Sequence, residues 1–181
     1  GRLVPFPGSS EQGLDIVYRH SHGFISFFNH RLPQELCTQL QALGGAPAFE
    51  APEQVERIFP PALPARLEGH FISAYLPLPP QAAEYPLVTP RDGQFVVLVY
   101  GEPVCWAWSE RCNLHCAEVA VETHPDHRRQ GYARQAVASW AQAVIGEGRV
   151  ALYSYKAANH ASRALARSLG AVWYADVVCY A

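Results

Sequence analysis

The sequence predicts a mixed α/β fold with one helical crossover. Three observations carry that reading. Between Gln94 and Tyr180, β-rich runs and amphipathic stretches follow in the order β-β-β-α-β-α-β. Two of the stretches carry apolar residues at helical spacing and stop at a glycine. The chain has 181 residues, 49% of them hydrophobic and 17% charged. A chain of that length buries roughly 70% of its unfolded surface on folding, enough for one domain with its own core. The expected organisation is a single domain over residues 1–181, with residues 1–90 irregular and 91–181 regular.

The first half gives fewer signals. Residues 1–13 are rich in Gly, Pro and Ser and read as a loose terminus. The aromatic run Phe24-Ile25-Ser26-Phe27-Phe28 reads as a strand. A helix follows Leu32-Pro33, with Leu36, Leu40 and Leu43 on one face and Gly44 as its stop. A shorter helix covers Pro52 to Phe59, with Val55, Ile58 and Phe59 on one side. Residues 60–93 are proline-rich and read as turns around one strand, Phe71 to Leu76.

The second half can be placed element by element. Gln94–Tyr100 and Val104–Glu110 read as a hairpin around a turn at Gly101-Glu102-Pro103. A third strand runs from Cys116 to Thr123. Val119, Val121 and Thr123 lie on one face, with Glu118, Ala120 and Glu122 on the other. Pro125 ends it. A helix from Gln130 to Ile145 carries the stripe Ala133, Ala136, Val137, Trp140, Ala141 and Val144, and stops at Gly146. Val150–Tyr155 is the next strand. Asn159–Leu169 is a helix stopped by Gly170, and Val172–Tyr180 is the last strand. There is no internal repeat.

Charge and cysteine usage exclude several classes. Fourteen basic and 16 acidic residues leave a net charge of -2, which argues against a nucleic-acid binder. No run approaches the ~18 apolar residues of a membrane span, so no membrane partner is expected. The five cysteines are odd in number, and residues 1–15 lack the apolar core of a signal peptide. The expected setting is a reducing cytoplasm with free thiols. Cys112-Asn113-Leu114-His115-Cys116 offers soft ligands, but no second Cys/His pair stands at finger spacing, so the expectation is no metal.

The stretch from Thr123 to Arg134 carries the chemistry. A strand ends, a short basic turn follows, and a helix begins at Gly131. A helix start presents unpaired N–H groups and partial positive charge, which suit an anion. Gly131 lets backbone approach a ligand closely, small Ala133 keeps the next turn open, and Arg128, Arg129 and Arg134 add forked donors. These residues suit a phosphate or pyrophosphate site. They equally suit an ordinary helix start with solvated arginines. Walker and dinucleotide glycine patterns are absent.

Arg128-x-x-Gly131-x-Ala133, after a strand and Pro125, resembles the acyl-CoA signature Arg/Gln-x-x-Gly-x-Gly/Ala of the GNAT N-acetyltransferases. Asn159 to Ala171 is similar to that family's second signature, an Asn opening a helix that ends in Leu-Gly-Phe, with Ala171 in place of the Phe. The resemblance covers residues 91–181. It implies a mixed central sheet, mostly antiparallel, with a splayed parallel strand pair and flanking helices. The pantetheine arm of acetyl-CoA would enter the splay between Cys116–Thr123 and Val150–Tyr155. The implied contacts are backbone of Val121, Glu122 and Thr123 for pantetheine, and Arg128, Arg129, Gln130, Gly131, Tyr132, Ala133 and Arg134 around the pyrophosphate. Asn159 and Ser162 would bond the arm; N-capping of the last helix is the other role open to both.

The implied activity is acetyl transfer from acetyl-CoA to a primary amine of a small molecule, by direct attack in a ternary complex. The alternative is a non-catalytic acyl-CoA-binding or sensing module on the same fold. Glu118 and Glu122 are the candidate bases, directly or through a water, with solvated strand-face carboxylates as the other reading. Many family members carry a Tyr seven residues after the Asn; here that residue is Ala166. Tyr153, Tyr155 and Tyr174 are nearby phenols that the sequence does not aim. Residues 1–90 hold five Arg against eight acids and would form the acceptor side, an acidic wall suited to a cationic amine. The expected assembly is a monomer or homodimer.

Overall fold

The computed structural model describes residues 2–3, 15–77 and 88–181. The loose terminus expected over residues 1–13 therefore falls, apart from Arg2–Leu3, outside the described residues, as do Glu11 and Glu84 of the acidic wall. The described chain forms two compact units, Gly1–Ile72 with Tyr174–Ala181, and Ser73–Trp173.

In the first unit, β1 (Arg2–Leu3) pairs parallel with β3 (Gly23–Asn29), which forms a hairpin with β2 (Asp15–His20). Helices α1 (Gln34–Leu43), α2 (Ala46–Glu50) and α3 (Pro52–Ile58) follow. The buried face of α1, Leu36, Cys37 and Leu40, packs with Val17, Phe28 and Val55. β4 (Leu67–Tyr75) begins in this unit, and β10 (Val172–Tyr180) ends in it, antiparallel to β2. The Tyr180 hydroxyl donates to the Ala48 carbonyl at 2.8 Å. β2 and α2 were not foreseen. β2 alternates weakly, and α2 is a five-residue turn opened by proline.

The second unit contains the regular half. β5 (Val88–Arg91), β6 (Gln94–Val99), β7 (Glu102–Cys112) and β8 (Cys116–Thr123) form antiparallel neighbours in that order. β8 then pairs parallel with β9 (Val150–Lys156), and the end of β4 lies on the far side of β9. The crossover from β8 to β9 is α4 (Tyr132–Gly146), and α5 (His160–Ser168) follows β9. This is the mixed sheet the sequence predicts, mostly antiparallel, with one parallel pair in this unit.

Three details differ from expectation. Residues 88–91 form a strand despite Pro90, because β5 stands at the end of the strand order, where a missing N–H is tolerated. The first hairpin turns at Tyr100-Gly101, while Glu102 and Pro103 already pair with Val99 and Leu98. A bulge at that point leaves Val104 as the extra residue beside the proline. α4 also runs through Gly146, and the chain turns at Gly148, whose φ is 78°.

α4 is what anchors β8. Ala136, Val137, Trp140, Ala141 and Val144 face Val97, Cys105, Ala107, Ala117 and Val119 in one core. Trp140 is 1% exposed, and its Nε1–H donates to Ser109 Oγ on β7 at 3.0 Å. Small residues at 107, 117, 136 and 141 let helix and sheet approach closely. Replacing Trp140 with Ala is therefore expected to lower the unfolding free energy by about 3–5 kcal/mol in urea titration, and Trp140→Phe by clearly less. A loss below ~1 kcal/mol for Trp140→Ala would contradict this placement of the core.

Candidate functional site

The site begins where two strands separate. β8 and β9 pair through only three residue positions, Cys116↔Val150, Ala117↔Ala151 and Glu118↔Leu152, although β8 continues to Thr123 and β9 to Lys156. On its other edge β8 stays paired with β7 as far as Cys105↔Thr123. The His124 N–H donates to the Val104 carbonyl, so even-numbered residues of this stretch turn their main chain toward β7. The Val150 N–H donates to the His115 carbonyl, so odd-numbered residues turn theirs toward β9. Val121 and Thr123 thus present main-chain groups to a side on which the described ladder gives no partner. The Thr123 carbonyl alone is covered, by Arg128 Nε at 3.3 Å. Glu122 turns its main chain to Trp106 on β7, so of the three backbone contacts expected, two face the gap.

The gap leads at one end to the start of α4. A 3-10 turn, Pro125–His127, carries the chain round; the His124 ring meets His127 edge-on at 5.9 Å, and His127 lies tilted against Tyr132 at 6.3 Å. Gly131 is the N-cap, with φ 81°, and no side chain caps the helix. The first intrahelical bond is donated by the Gln135 N–H, so Tyr132, Ala133 and Arg134 keep their N–H groups unused by the helix. A Cβ on Gly131 would meet nothing within 4 Å, so the space above it is open. Arg129 adopts φ 63°, a left-handed conformation that costs roughly 1–2 kcal/mol for a residue with a Cβ.

The arginines divide. Arg128 lies back on β8. Arg134 donates from Nε to the Ser168 carbonyl at 3.1 Å and so caps α5. The Gln130 side chain reaches back to the Asp126 carbonyl at 3.5 Å. Arg129 is the member of the cluster whose exposed guanidinium makes no described contact.

At its other end the gap opens into a pocket of about 290 Å³. Glu110, Arg111, Glu118, Val121, Tyr153 and Ser162 are among the residues that line it. Glu118 and Arg111 are cross-strand neighbours joined at 3.0 Å, with side chains 18% and 71% exposed. Glu122 is exposed, outside the pocket lining, and four residues along the strand, ~13 Å away at ~3.3 Å per residue. Sequence reasoning missed Glu110 and Arg111. Both reach the pocket because β7 is bulged between Ser109 and Arg111, and nothing in the local sequence announces that bulge.

α5 is held by its first turn. Asn159 is the N-cap, and its Oδ1 accepts the Ser162 N–H at 3.0 Å. At the other end Gly170, with φ 69°, closes a Schellman turn in which the Ala171 N–H donates to the Ala166 carbonyl. Ala166 itself is buried.

Residues 93–180 match the family model described as GNAT acetyltransferase. Residues 93–180 are a GNAT domain. Solved structures agree in fold. An acetyltransferase assigned to the GNAT family from Novosphingobium aromaticivorans is 18% identical, over 67% of each chain, with a TM-score of 0.54. A GNAT-family acetyltransferase from Colwellia psychrerythraea is 13% identical over 87% of this chain and 80% of its own, with a TM-score of 0.52. A GCN5-related N-acetyltransferase from Sphaerobacter thermophilus is 11% identical over 94% and 60%, with a TM-score of 0.55. No curated protein sequence matches. The splayed pair, the glycine-opened α4 and the Asn-capped α5 all lie within this GNAT domain. No helix among the described residues is long and apolar enough to cross a membrane.

Two outcomes test this geometry. Cys105 accepts a hydrogen bond from Thr123 Oγ1 at 3.2 Å, and burial pushes its thiol up, so little thiolate forms near neutrality. Alkylation of the folded chain at pH 7.5, read by peptide mass, should label exposed Cys112 and spare Cys105; equal labelling would contradict the burial. Asn159→Ala should lower stability by about 1 kcal/mol through loss of the cap, and an unchanged urea midpoint would show that the cap bond is not formed.

Proposed function

We propose that this GNAT domain transfers an acetyl group from acetyl-CoA to the primary amine of a small molecule. The observation that carries the reading is the parting of β8 from β9 after Glu118↔Leu152. It leaves two amide-bearing edges and a slot between them. A pantetheine arm is itself an extended chain with two amides, so Val121 and Thr123 can pair with it as a strand would. The unused N–H groups at Tyr132, Ala133 and Arg134, the open space over Gly131 and the side chain of Arg129 suit the pyrophosphate that terminates the arm. The donor set fits the group.

Bound acetyl-CoA would supply an acyl thioester, an electrophile with a good leaving group. The chain's residues do the rest. Glu110 and Glu118 give the pocket an acidic lining that attracts a protonated amine. Only the neutral amine attacks, so its proton must leave first. Glu118 takes it directly or through a water, at the carboxylate oxygen that Arg111 leaves available. The Val121 N–H, which faces the slot, would donate to the carbonyl oxygen as negative charge gathers there. The slot fixes the angle of approach, which itself supplies much of the rate. Glu122 and the exposed His124 stand outside this pocket and take no part.

A second reading is favoured by two observations. Ala166 stands where a phenol is expected, and Glu118 is already paired with Arg111. A domain that binds acyl-CoA without turnover would look like this. Calorimetry with CoA and thiol release across a panel of small amines separate the two: binding with release supports transfer, and binding with none supports a sensing module. Gly131→Asp should weaken CoA binding at least tenfold, because it adds Cβ strain at φ 81° and sets an acid against the pyrophosphate. Arg129→Ala should weaken it severalfold. Unchanged affinity in both would overturn the assignment of this loop.

A further inference from the structure

Three hydroxyl-bearing residues of the pocket have no role in the reaction as described so far; Ser154 is bonded to Ser73 at 3.2 Å, and Tyr153 and Ser162 are the other two. The Tyr153 hydroxyl lies 3.1 Å from Ser162 Oγ, and both residues line the cavity. Tyr153 is 2% exposed and is the first residue of β9 beyond the last parallel pair, so it sits at the point where the slot opens. Val119, Ala120 and Val121 of β8 line the same cavity. Ser162 is fixed from behind, since its N–H is held by Asn159 Oδ1. The pair is therefore built into the walls of the slot and tied to the start of α5.

A pair of hydroxyls holds two protons and needs one for the bond between them. Whichever oxygen donates, one O–H remains, and the cavity is the space that both residues share. Ala166 offers only a methyl group.

We propose that the Tyr153–Ser162 hydroxyl pair donates the hydrogen bond that stabilises the thioester sulfur as it departs. The proposal rests on the acetyl-CoA reading. In the step concerned, the amine nitrogen forms a bond to the acyl carbon, the C–S bond breaks, and the sulfur leaves with the electron pair. Glu118 passes the first amine proton to solvent before attack, and it or its water takes the second, which the nitrogen sheds as the amide forms. The pair gives a hydrogen bond and keeps both its protons. Burial raises the Tyr153 phenol above its usual range, while a thiol ionises near ~8.5, so the phenol stays protonated beside a thiolate. Tyr153 and Ser162 thus act where charge develops on sulfur, and not in holding the rest of the arm.

The test uses the full chain with two probes, CoA and desulfo-CoA, which differ at the sulfur. The ratio of their affinities is measured by calorimetry at pH 7.0 and pH 9.5, across the ionisation of the free thiol. In the wild type the preference for CoA should rise about tenfold at the higher pH, the scale of one hydrogen bond to a charged acceptor. The rise should shrink in Tyr153→Phe and in Ser162→Ala and be mostly lost in the double variant, with desulfo-CoA affinity unchanged. The other charged groups facing the pocket, Glu110 and Arg111 from β7 and Glu118 from β8, are the same in all of these proteins. Tyr155, next to Tyr153 at 6.1 Å between rings, is also kept. A rise that survives in the double variant, or a wild type with no rise, overturns this proposal alone. A wild type that binds neither probe overturns the acetyl-CoA reading and this proposal with it.

Discussion

The parting of two parallel strands is the constraint on which the rest of the site depends. A buried backbone amide without a partner is costly, so a sheet normally pairs its strands to the end. β8 and β9 stop after three pairs. The main chain of Val121 and the Thr123 N–H are left turned to a slot, where only another amide-bearing chain or water can satisfy them. Such an edge is a binding surface by virtue of what it lacks, in the manner of β-strand addition.

Holding that edge open takes support from elsewhere in the domain. β8 stays fully paired with β7, and α4 packs small residues and Trp140 against the face that Ala117 and Val119 share. The same helix begins at Gly131, just past the end of β8, so one short turn delivers both the slot and the cluster of unused N–H groups. On the other side, α5 is pinned by Asn159 at its start and by Arg134 at its end, which ties it to α4. Each of these contacts is individually modest. Together they fix the separation of β8 from the residues of β9 and α5 that line the pocket.

The legibility of the sequence followed the locality of the signal. β8 was placed residue for residue because its alternation is clean and Pro125 marks its end. α5 was bounded by an N-cap Asn and a C-terminal Gly, both of which act within a few residues. β5 was hidden by Pro90, whose tolerance depends on the strand standing at a sheet edge. Glu110 was hidden for a similar reason, since a bulge in β7 decides which way it points. In the sequence the arginines form one cluster. In the fold Arg128 covers a strand carbonyl and Arg134 caps a helix, and Arg129 alone keeps its guanidinium clear of described partners. A charge run in sequence carries no information about which carbonyls lie within reach.

The sequence by itself determined the order of elements from Gln94 to Tyr180, the helix start at Gly131 and the cap at Asn159. Those features rest on backbone preferences and periodicity, which act over a few residues. Tertiary structure alone decided where β8 leaves β9, that Glu118 enters the pocket while Glu122 does not, and that Tyr153 meets Ser162 at 3.1 Å. These depend on register and on packing between segments distant in the chain. A one-residue change of register would reverse which groups face the slot, and no local preference encodes that choice.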